Sequence, residues 1–252
     1  MIDVSIITPC YKSKNFIKHT LESVNSQSFK NYEHIIILDD DDEEEKRKTL
    51  EIIKNFSYDI KVLKTSGKTG ASNARNIGIK ASKGIYIAFL DSDDIWHKDK
   101  LKKQINFMKN KDLSISHTDY NEINEQGDFI KKRFSPKRIT YNDLLISPRL
   151  GCLTLMAKRT LFKSPEPFPN YKCRNDYAAW LKIFKSNASE NVSEILASYT
   201  LRRGSISSNT IRNFIVHYQV LREVANQPVL KALMYTISNY LLKFTDILLG
   251  KR

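Results

Sequence analysis

The chain has 252 residues, 41% of them hydrophobic, with 41 Lys and Arg against 28 Asp and Glu and a formal net charge of +13. That apolar fraction excludes a disordered tail protein. The longest fully apolar run, Ile85 to Leu90, falls far short of the roughly 18 residues a membrane-spanning helix needs, and three dispersed cysteines, Cys10, Cys152 and Cys173, offer neither a disulfide framework nor a zinc pattern. The acids are concentrated. Asp39 to Glu45 is an unbroken run of seven, and Asp91, Asp93 and Asp94 add three, so setting those ten aside leaves 18 acids facing the 41 bases. The opening Ile2-Asp3-Val4-Ser5-Ile6-Ile7 has no basic segment followed by a long apolar one, the pattern of a signal peptide, so a cytosolic-side protein is expected.

The first 120 residues alternate between two patterns. Val4 to Thr8 reads as a buried strand, and Asn15 to Gln27 places Ile17, Leu21 and Val24 on one helical stripe. Ile35 to Leu38 is a second strand and Lys46 to Phe56 a helix; Ile60 to Leu63, Ala71 to Ala81, Ile85 to Leu90, Lys98 to Lys109 and Leu113 to Thr118 continue as strand, helix, strand, helix, strand. Strands apolar on both faces, separated by helices, predict an α/β fold with a mostly parallel sheet covered on both sides. Basic and polar residues dominate from Arg133 to Pro148, and a strand is expected at Cys152 to Ala157. A proline-marked loop (Pro165, Pro167, Pro169) precedes a helix from Asp176. After Tyr199 to Ser208 the rest reads as helical, interrupted at Pro228. Its last segment aligns Leu230, Leu233, Met234, Ile237, Leu241, Phe244 and Leu248 on one face.

In an open parallel sheet, ligands collect at the carboxyl ends of the strands. Here those ends carry Thr8-Pro9-Cys10-Tyr11, Asp39-Asp40 and Asp91-Ser92-Asp93-Asp94, with Arg75 at the edge of an intervening helix. Neighbouring carboxylates repel one another unless a cation lies between them. Hard oxygen ligands favour Mg²⁺ or Mn²⁺, and such an ion beside an arginine neutralises a pyrophosphate. Asp91 to Asp94 could equally cap the helix that begins near Lys98. Of the longer acidic run, Asp42 to Glu45 suits a solvated loop and first helical turn, leaving Asp39 as the site candidate. Ser66-Gly67-Lys68-Thr69 imitates the end of a P-loop, but Val62 stands where the earlier glycine is required.

Several of these stretches together resemble a bacterial family 2 glycosyltransferase: Val4 to Tyr11, Leu21-Glu22-Ser23-Val24 with Gln27, Ile35 to Asp40, Gly70 to Asn76, Tyr86 to Trp96, Asn175 to Ile183 and Gly204 to Asn209. The match spans roughly residues 3 to 210, and the order and spacing of the motifs make it specific. The resemblance implies a GT-A fold, a Rossmann-like central sheet with a C-terminal helical extension, divided as 1–210 and 211–252. It implies an inverting reaction, a nucleotide-sugar donor and Mn²⁺ or Mg²⁺. Thr8, Pro9 and Tyr11 would line the base and ribose pocket, Asp39 or its neighbour Asp40 would contact the base, and Arg75 would support the nucleotide. Asp91 and Asp93, flanking Ser92, match the D-x-D signature at ribose and metal; Asp94 is an alternative metal ligand. Asp176 matches the catalytic base, or would otherwise cap its helix. Two departures stand out: Lys12 where Asn is usual, and Asn175 in place of the Glu before the base. Arg202 and Arg203 are expected to meet a diphosphate, with a surface role as the alternative.

Excess positive charge and a basic amphipathic C-terminal helix suit an anionic membrane. The expectation is therefore a hexosyltransferase using UDP-Glc or UDP-Gal and a lipid-diphosphate-linked sugar, in O-antigen or related assembly at the cytoplasmic face of the inner membrane. The final helix would bind that surface or pack on the domain. A soluble or protein acceptor is the competing reading. Nucleic-acid binding, the inference from a pI near 9.5, is disfavoured because the bases are scattered and no known module is present.

Overall fold

The computed structural model describes residues 1–148, 150–171, 173–202 and 210–248. In chain order the strands are β1 (Val4–Cys10), β2 (Tyr32–Leu38), β3 (Ile60–Lys64), β4 (Tyr86–Phe89), β5 (Ile95–Trp96), β6 (Ile115–Ile123), β7 (Phe129–Arg133), β8 (Arg138–Ile139), β9 (Met156–Lys158) and β10 (Ser189–Thr200). The helices are α1 (Ile17–Asn25), α2 (Glu43–Ile53), α3 (Ala71–Ala81), α4 (Lys100–Asn110), α5 (Tyr141–Ile146), α6 (Asn175–Ile183), α7 (Thr210–Glu223) and α8 (Val229–Leu248).

One sheet runs β3-β2-β1-β4-β9-β6-β10-β5, with β7 added to β6 and β8 to β10. β1 pairs in parallel with β2 and β4, β2 with β3, and β6 with β10, whereas β9 runs antiparallel between β4 and β6. All seven residues of β2 are buried, as expected for a strand covered on both faces. Because β1, β2, β4, β6 and β10 point the same way, their carboxyl ends share one edge.

The opposite end of β1 is closed by a buried polar knot. Ser5 Oγ donates to Glu33 Oε1 at 2.6 Å, Lys83 N donates to the same oxygen at 2.6 Å, and Gly84 N donates to Ser5 Oγ at 2.8 Å. These bonds bring the turn before β4 so close to β1 that a Cβ on Gly84 would lie 2.5 Å from Ser5 N.

The structure differs from the sequence expectations at Cys152 and in strands they do not include, β5, β7, β8 and β10. Cys152–Thr154 is a 3-10 turn, and the strand expected at Cys152 to Ala157 is reduced to Met156–Lys158. β10 carries no clean alternation because its register against β6 shifts between Asn191 and Ala197, where Ser193 adopts a φ of +61°. Asp91 to Asp94 do not cap α4, which begins at Lys100 after Asp99. Asp42 does cap α2, its carboxylate accepting from Glu44 N and Glu45 N, and Glu43 to Glu45 occupy the first turn.

The C-terminal helices separate at Pro228. α7 contributes Val216, Val220 and Leu221 to the main core cluster, and α8 contributes Ala232. α8 turns its small and polar residues inward: Ala232, Thr236 and Asn239 are buried, and Asn239 Nδ2 donates to Ile146 O at 3.2 Å. Its bulky stripe faces out, with Leu230, Met234, Leu241 and Phe244 all more than half exposed.

Replacing Gly84 with alanine drives a methyl group into the β1 backbone. The expected outcome is a loss of about 1–3 kcal/mol, measured as a lower urea midpoint with an unchanged slope.

Candidate active site

At the end of β2, Asp39 is held by the turn that leads into α3. Its Oδ1 accepts from Thr65 Oγ1 (2.6 Å), Thr69 N (2.8 Å) and Thr69 Oγ1 (2.6 Å), and its Oδ2 accepts from Gly70 N (2.7 Å). Gly70, at φ +95°, precedes the helix in a backbone conformation that L residues avoid. Burial alone would raise the Asp39 carboxyl, but these bonds outweigh it and hold the group below its ordinary value. Asp40 is the reverse case: burial raises it, and Lys12 N is the donor on its Oδ1, at 2.7 Å, while Oδ2 is buried without a partner. Lys12 sits at φ +50°, a left-handed position for which asparagine is better suited.

β1 delivers Thr8, Pro9 and, just past its end, Tyr11 to the same edge. The Thr8 hydroxyl is turned into the core, 2.8 Å from His34 Nε2, whose Nδ1 lies 2.9 Å from Tyr58 Oη. Burial depresses His34 to about 3, so it stays neutral. Any contact Thr8 makes at the edge therefore comes from its main chain.

The turn after β4 gathers the second acidic group. Arg75, reaching from α3, donates to Asp91 Oδ1 at 2.5 Å with its guanidinium 5.5 Å from the Phe168 ring, and its own Nε is buried without a partner. Burial opposes the charge on Arg75, but Asp91 and Asp176 outweigh that and keep it protonated. Ser92 is buried. Asp93 accepts from Arg202 Nη1 at 3.0 Å, and Arg202 lies over the Phe16 ring at 4.4 Å. Asp94 is 1% exposed. It takes Thr200 N on Oδ1 at 2.9 Å, its carbonyl accepts from Thr20 Oγ1 at 2.9 Å, and Thr200 Oγ1 donates to Asp93 O. Burial first, then repulsion from their neighbours, raises both Asp93 and Asp94. Asp94 is thus a strut of the turn, while Asp91 and Asp93 present the more open carboxylates, with side chains 33% and 20% exposed.

Asp176 enters from the far side of the sheet sequence, in the first turn of α6, after Arg174 at φ +60°. It accepts from Tyr177 N at 2.8 Å rather than capping the helix, whose N-cap is Arg174. An aromatic cluster of Trp180, Phe168 and Phe89 fixes α6 against β4. Burial raises the Asp176 carboxyl, with Arg75 and the Tyr177 amide offsetting part of the rise.

Asp91, Asp94 and Asp176 line one cavity of about 840 Å³. The structure thus joins three of the expected acids around Arg75, with Asp93 on the turn that carries Asp91 and Asp94 and Arg202 reaching Asp93 from just past β10. Arg203 lies outside the described residues. The cavity's other wall was not foreseen: Tyr120 and Tyr199 from the ends of β6 and β10, and Lys132 and Phe134 from β7 and just beyond it. The sequence signal for that wall is the run Phe129-Ile130-Lys131-Lys132-Arg133-Phe134. Among the described residues no group of three or more His, Cys, Asp or Glu is placed to hold a metal by itself. Asp91 and Asp93 are carboxylate donors of the hard type that suits Mg²⁺ or Mn²⁺, and one oxygen of each is bonded to an arginine, Arg75 and Arg202. Among the described residues no helix is long and apolar enough to cross a membrane.

The chain is similar to several bacterial glycosyltransferases. WfgD of Escherichia coli, a UDP-Glc:alpha-D-GlcNAc-diphosphoundecaprenol beta-1,3-glucosyltransferase, is 36% identical over 240 residues, covering 94% of this chain and 92% of its own. WfaP of E. coli, with the same described activity, is 34% identical and covers 88% and 86%. The putative teichuronic acid biosynthesis glycosyltransferase TuaG of Bacillus subtilis is 36% identical over 91% of both chains. Among solved structures, S. aureus TarS 1–349 in complex with UDP-GlcNAc superposes with a TM-score of 0.71 at 20% identity, covering 94% of this chain and 72% of its own. The Pyrobaculum calidifontis mannosyltransferase PcManGT with GDP-Man and Mn²⁺ gives 0.68 at 13% identity, covering 93% and 68%. The expected GT-A architecture is therefore the one this chain adopts. With the family model for Glycosyl transferase family 2 matching residues 5–162, and relatives aligned over nearly the whole length, the chain belongs to glycosyl transferase family 2.

Proposed function

We propose that this enzyme is an inverting, metal-dependent hexosyltransferase. It would move glucose or galactose from a UDP-sugar to a GlcNAc- or GalNAc-diphosphoundecaprenol type acceptor in bacterial surface polysaccharide assembly, such as that of O-antigen. The observation that carries the reading is the convergence of Asp176 and the Asp91 to Asp94 turn on one cavity, with a buried arginine between them. The acceptor class and the preference for glucose rest on the activities of WfgD and WfaP.

In this reading Pro9, Tyr11 and the Thr8 main chain flank the base and ribose, and Asp39 or Asp40 accepts from the base. Arg75 fixes Asp91, which with Ser92 lies at the ribose. A bound Mn²⁺ or Mg²⁺ would be held by Asp93 and Asp91 and would supply charge stabilisation for the departing diphosphate. Arg202, already stationed at Asp93, and Arg203 are assigned to the same negative charge, which grows most in the transition state. Asp176 takes the proton of the acceptor hydroxyl as that oxygen attacks the anomeric carbon; a single displacement inverts the centre and releases UDP.

The same reading takes 1–210 as the catalytic unit and the helices from 211 onward as its membrane-facing part, at the cytoplasmic face of the inner membrane. Support comes from the outward stripe of α8 in a chain of net charge +13. Exposed bulky side chains on a basic protein suit an anionic lipid surface.

Three outcomes are expected. Asp176→Asn and Asp93→Ala should each lower kcat on the order of 10³-fold with unchanged circular dichroism, in assays of UDP-sugars against a synthetic GlcNAc-diphosphate lipid with and without Mn²⁺. Equal use of a free sugar would instead favour a soluble acceptor. The base works only when ionised, so kcat/KM should fall as pH drops through the raised Asp176 value, its acid limb centred above the ordinary 3.8. The triple variant L230E/M234E/L241E should stay folded yet no longer sediment with phosphatidylglycerol vesicles.

A further inference from the structure

The wall formed by β6 and β7 is built with more care than an edge hairpin needs. Ser135 N donates to Asp119 Oδ1 at 2.8 Å, Asn191 Nδ2 donates to the same oxygen at 2.8 Å, and Asn191 Nδ2 also reaches Ser135 O at 3.0 Å. His117 Nε2 lies 2.9 Å from Pro136 O. Asp119, Asn191 and His117 are all buried, and Arg133 is tied to Glu122 Oε2 at 2.7 Å. Buried polar groups are costly unless satisfied, and here they satisfy one another by fixing the strand's exit.

What this anchored segment presents is a mixed chemistry. Lys132 and Phe134, two residues apart and hence on one side of the extended chain, both line the cavity that holds Asp91 and Asp176. Lys132 makes no ion pair with a described residue, and Phe134 is 74% exposed. Phe129 and Ile130, at the start of β7, are also exposed. Tyr120 and Tyr199, edge to face at 6.5 Å, line the same cavity. An ammonium beside large apolar side chains, facing a carboxylate-rich centre, matches a ligand whose anionic group sits between a sugar and a hydrocarbon chain.

We infer that the β6–β7 wall is the acceptor subsite: Lys132 binds the acceptor's diphosphate, Phe134 contacts the first part of its hydrocarbon tail, and the Tyr120–Tyr199 pair offers a face to its sugar. This rests on the lipid-diphosphate acceptor proposed above and assigns that acceptor to residues.

Acceptor kinetics test it, with wild-type enzyme, Lys132→Gln, Phe134→Ser and the distant control Lys54→Gln, using GlcNAc-diphosphate carrying a long or a short alkyl tail. Lys132→Gln should raise the acceptor KM at least tenfold for both tails, Phe134→Ser should do so for the long tail only, and the control should match wild type. The exposure of both side chains keeps folding out of the comparison. Wild-type enzyme that transfers to these acceptors while Lys132→Gln retains the wild-type acceptor KM overturns the subsite alone. Wild-type enzyme inactive with every diphosphate-linked sugar overturns the proposed function and the subsite with it.

Discussion

The site depends on one buried positive charge. Three aspartates, Asp91, Asp94 and Asp176, line a single cavity, and burial, with repulsion from neighbouring carboxylates, works against the ionisation of Asp94 and Asp176. Arg75 relieves that repulsion from within the protein, bonded to Asp91 and close enough to Asp176 to lower its proton affinity. Its own charge is sustained by the same acids, so neither side of the arrangement is stable without the other. The backbone serves this meeting. Asp39 stabilises the start of the helix that carries Arg75, and Asp94 clamps the end of β10 onto the turn that carries Asp91 and Asp93.

Much of this was legible before any coordinates. Apart from the two-residue β5, elements up to residue 110 announce themselves because buried strands are continuous apolar runs and their helices carry a single stripe. The site aspartates stood out because they terminate such runs. β10 did not, since its bulges break the period-two pattern and the bond by which it holds the acidic turn comes from a backbone amide, that of Thr200, which no side-chain pattern reveals. The turn at Cys152 resembles a strand in the sequence because three apolar or β-branched residues look alike in either state. Asp91 to Asp94 looked as suitable for capping as for ligand binding, and only the distance to Lys100 separates the two.

α8 shows a different limit. Its hydrophobic stripe is plain in the sequence, and a stripe of that kind ordinarily marks the buried side. Here the packed side is instead Ala232, Thr236 and Asn239, whose small volumes let the helix lie against α5 and α7. Periodicity located the faces correctly but could not say which one meets the protein, because that choice is made by the shape of the neighbouring surface.

Asp39 also constrains how such an enzyme can change over generations. Both of its oxygens are engaged in holding the turn that starts α3. A substitution at this residue would remove those bonds, loosen the helix bearing Arg75 and disturb the acid cluster at the same time. Lys132 and Phe134, on the exposed wall, carry no such structural duty, so they can change without disturbing the acid cluster. Under the acceptor role proposed for that wall, one scaffold could keep its donor chemistry fixed while its acceptors diverge.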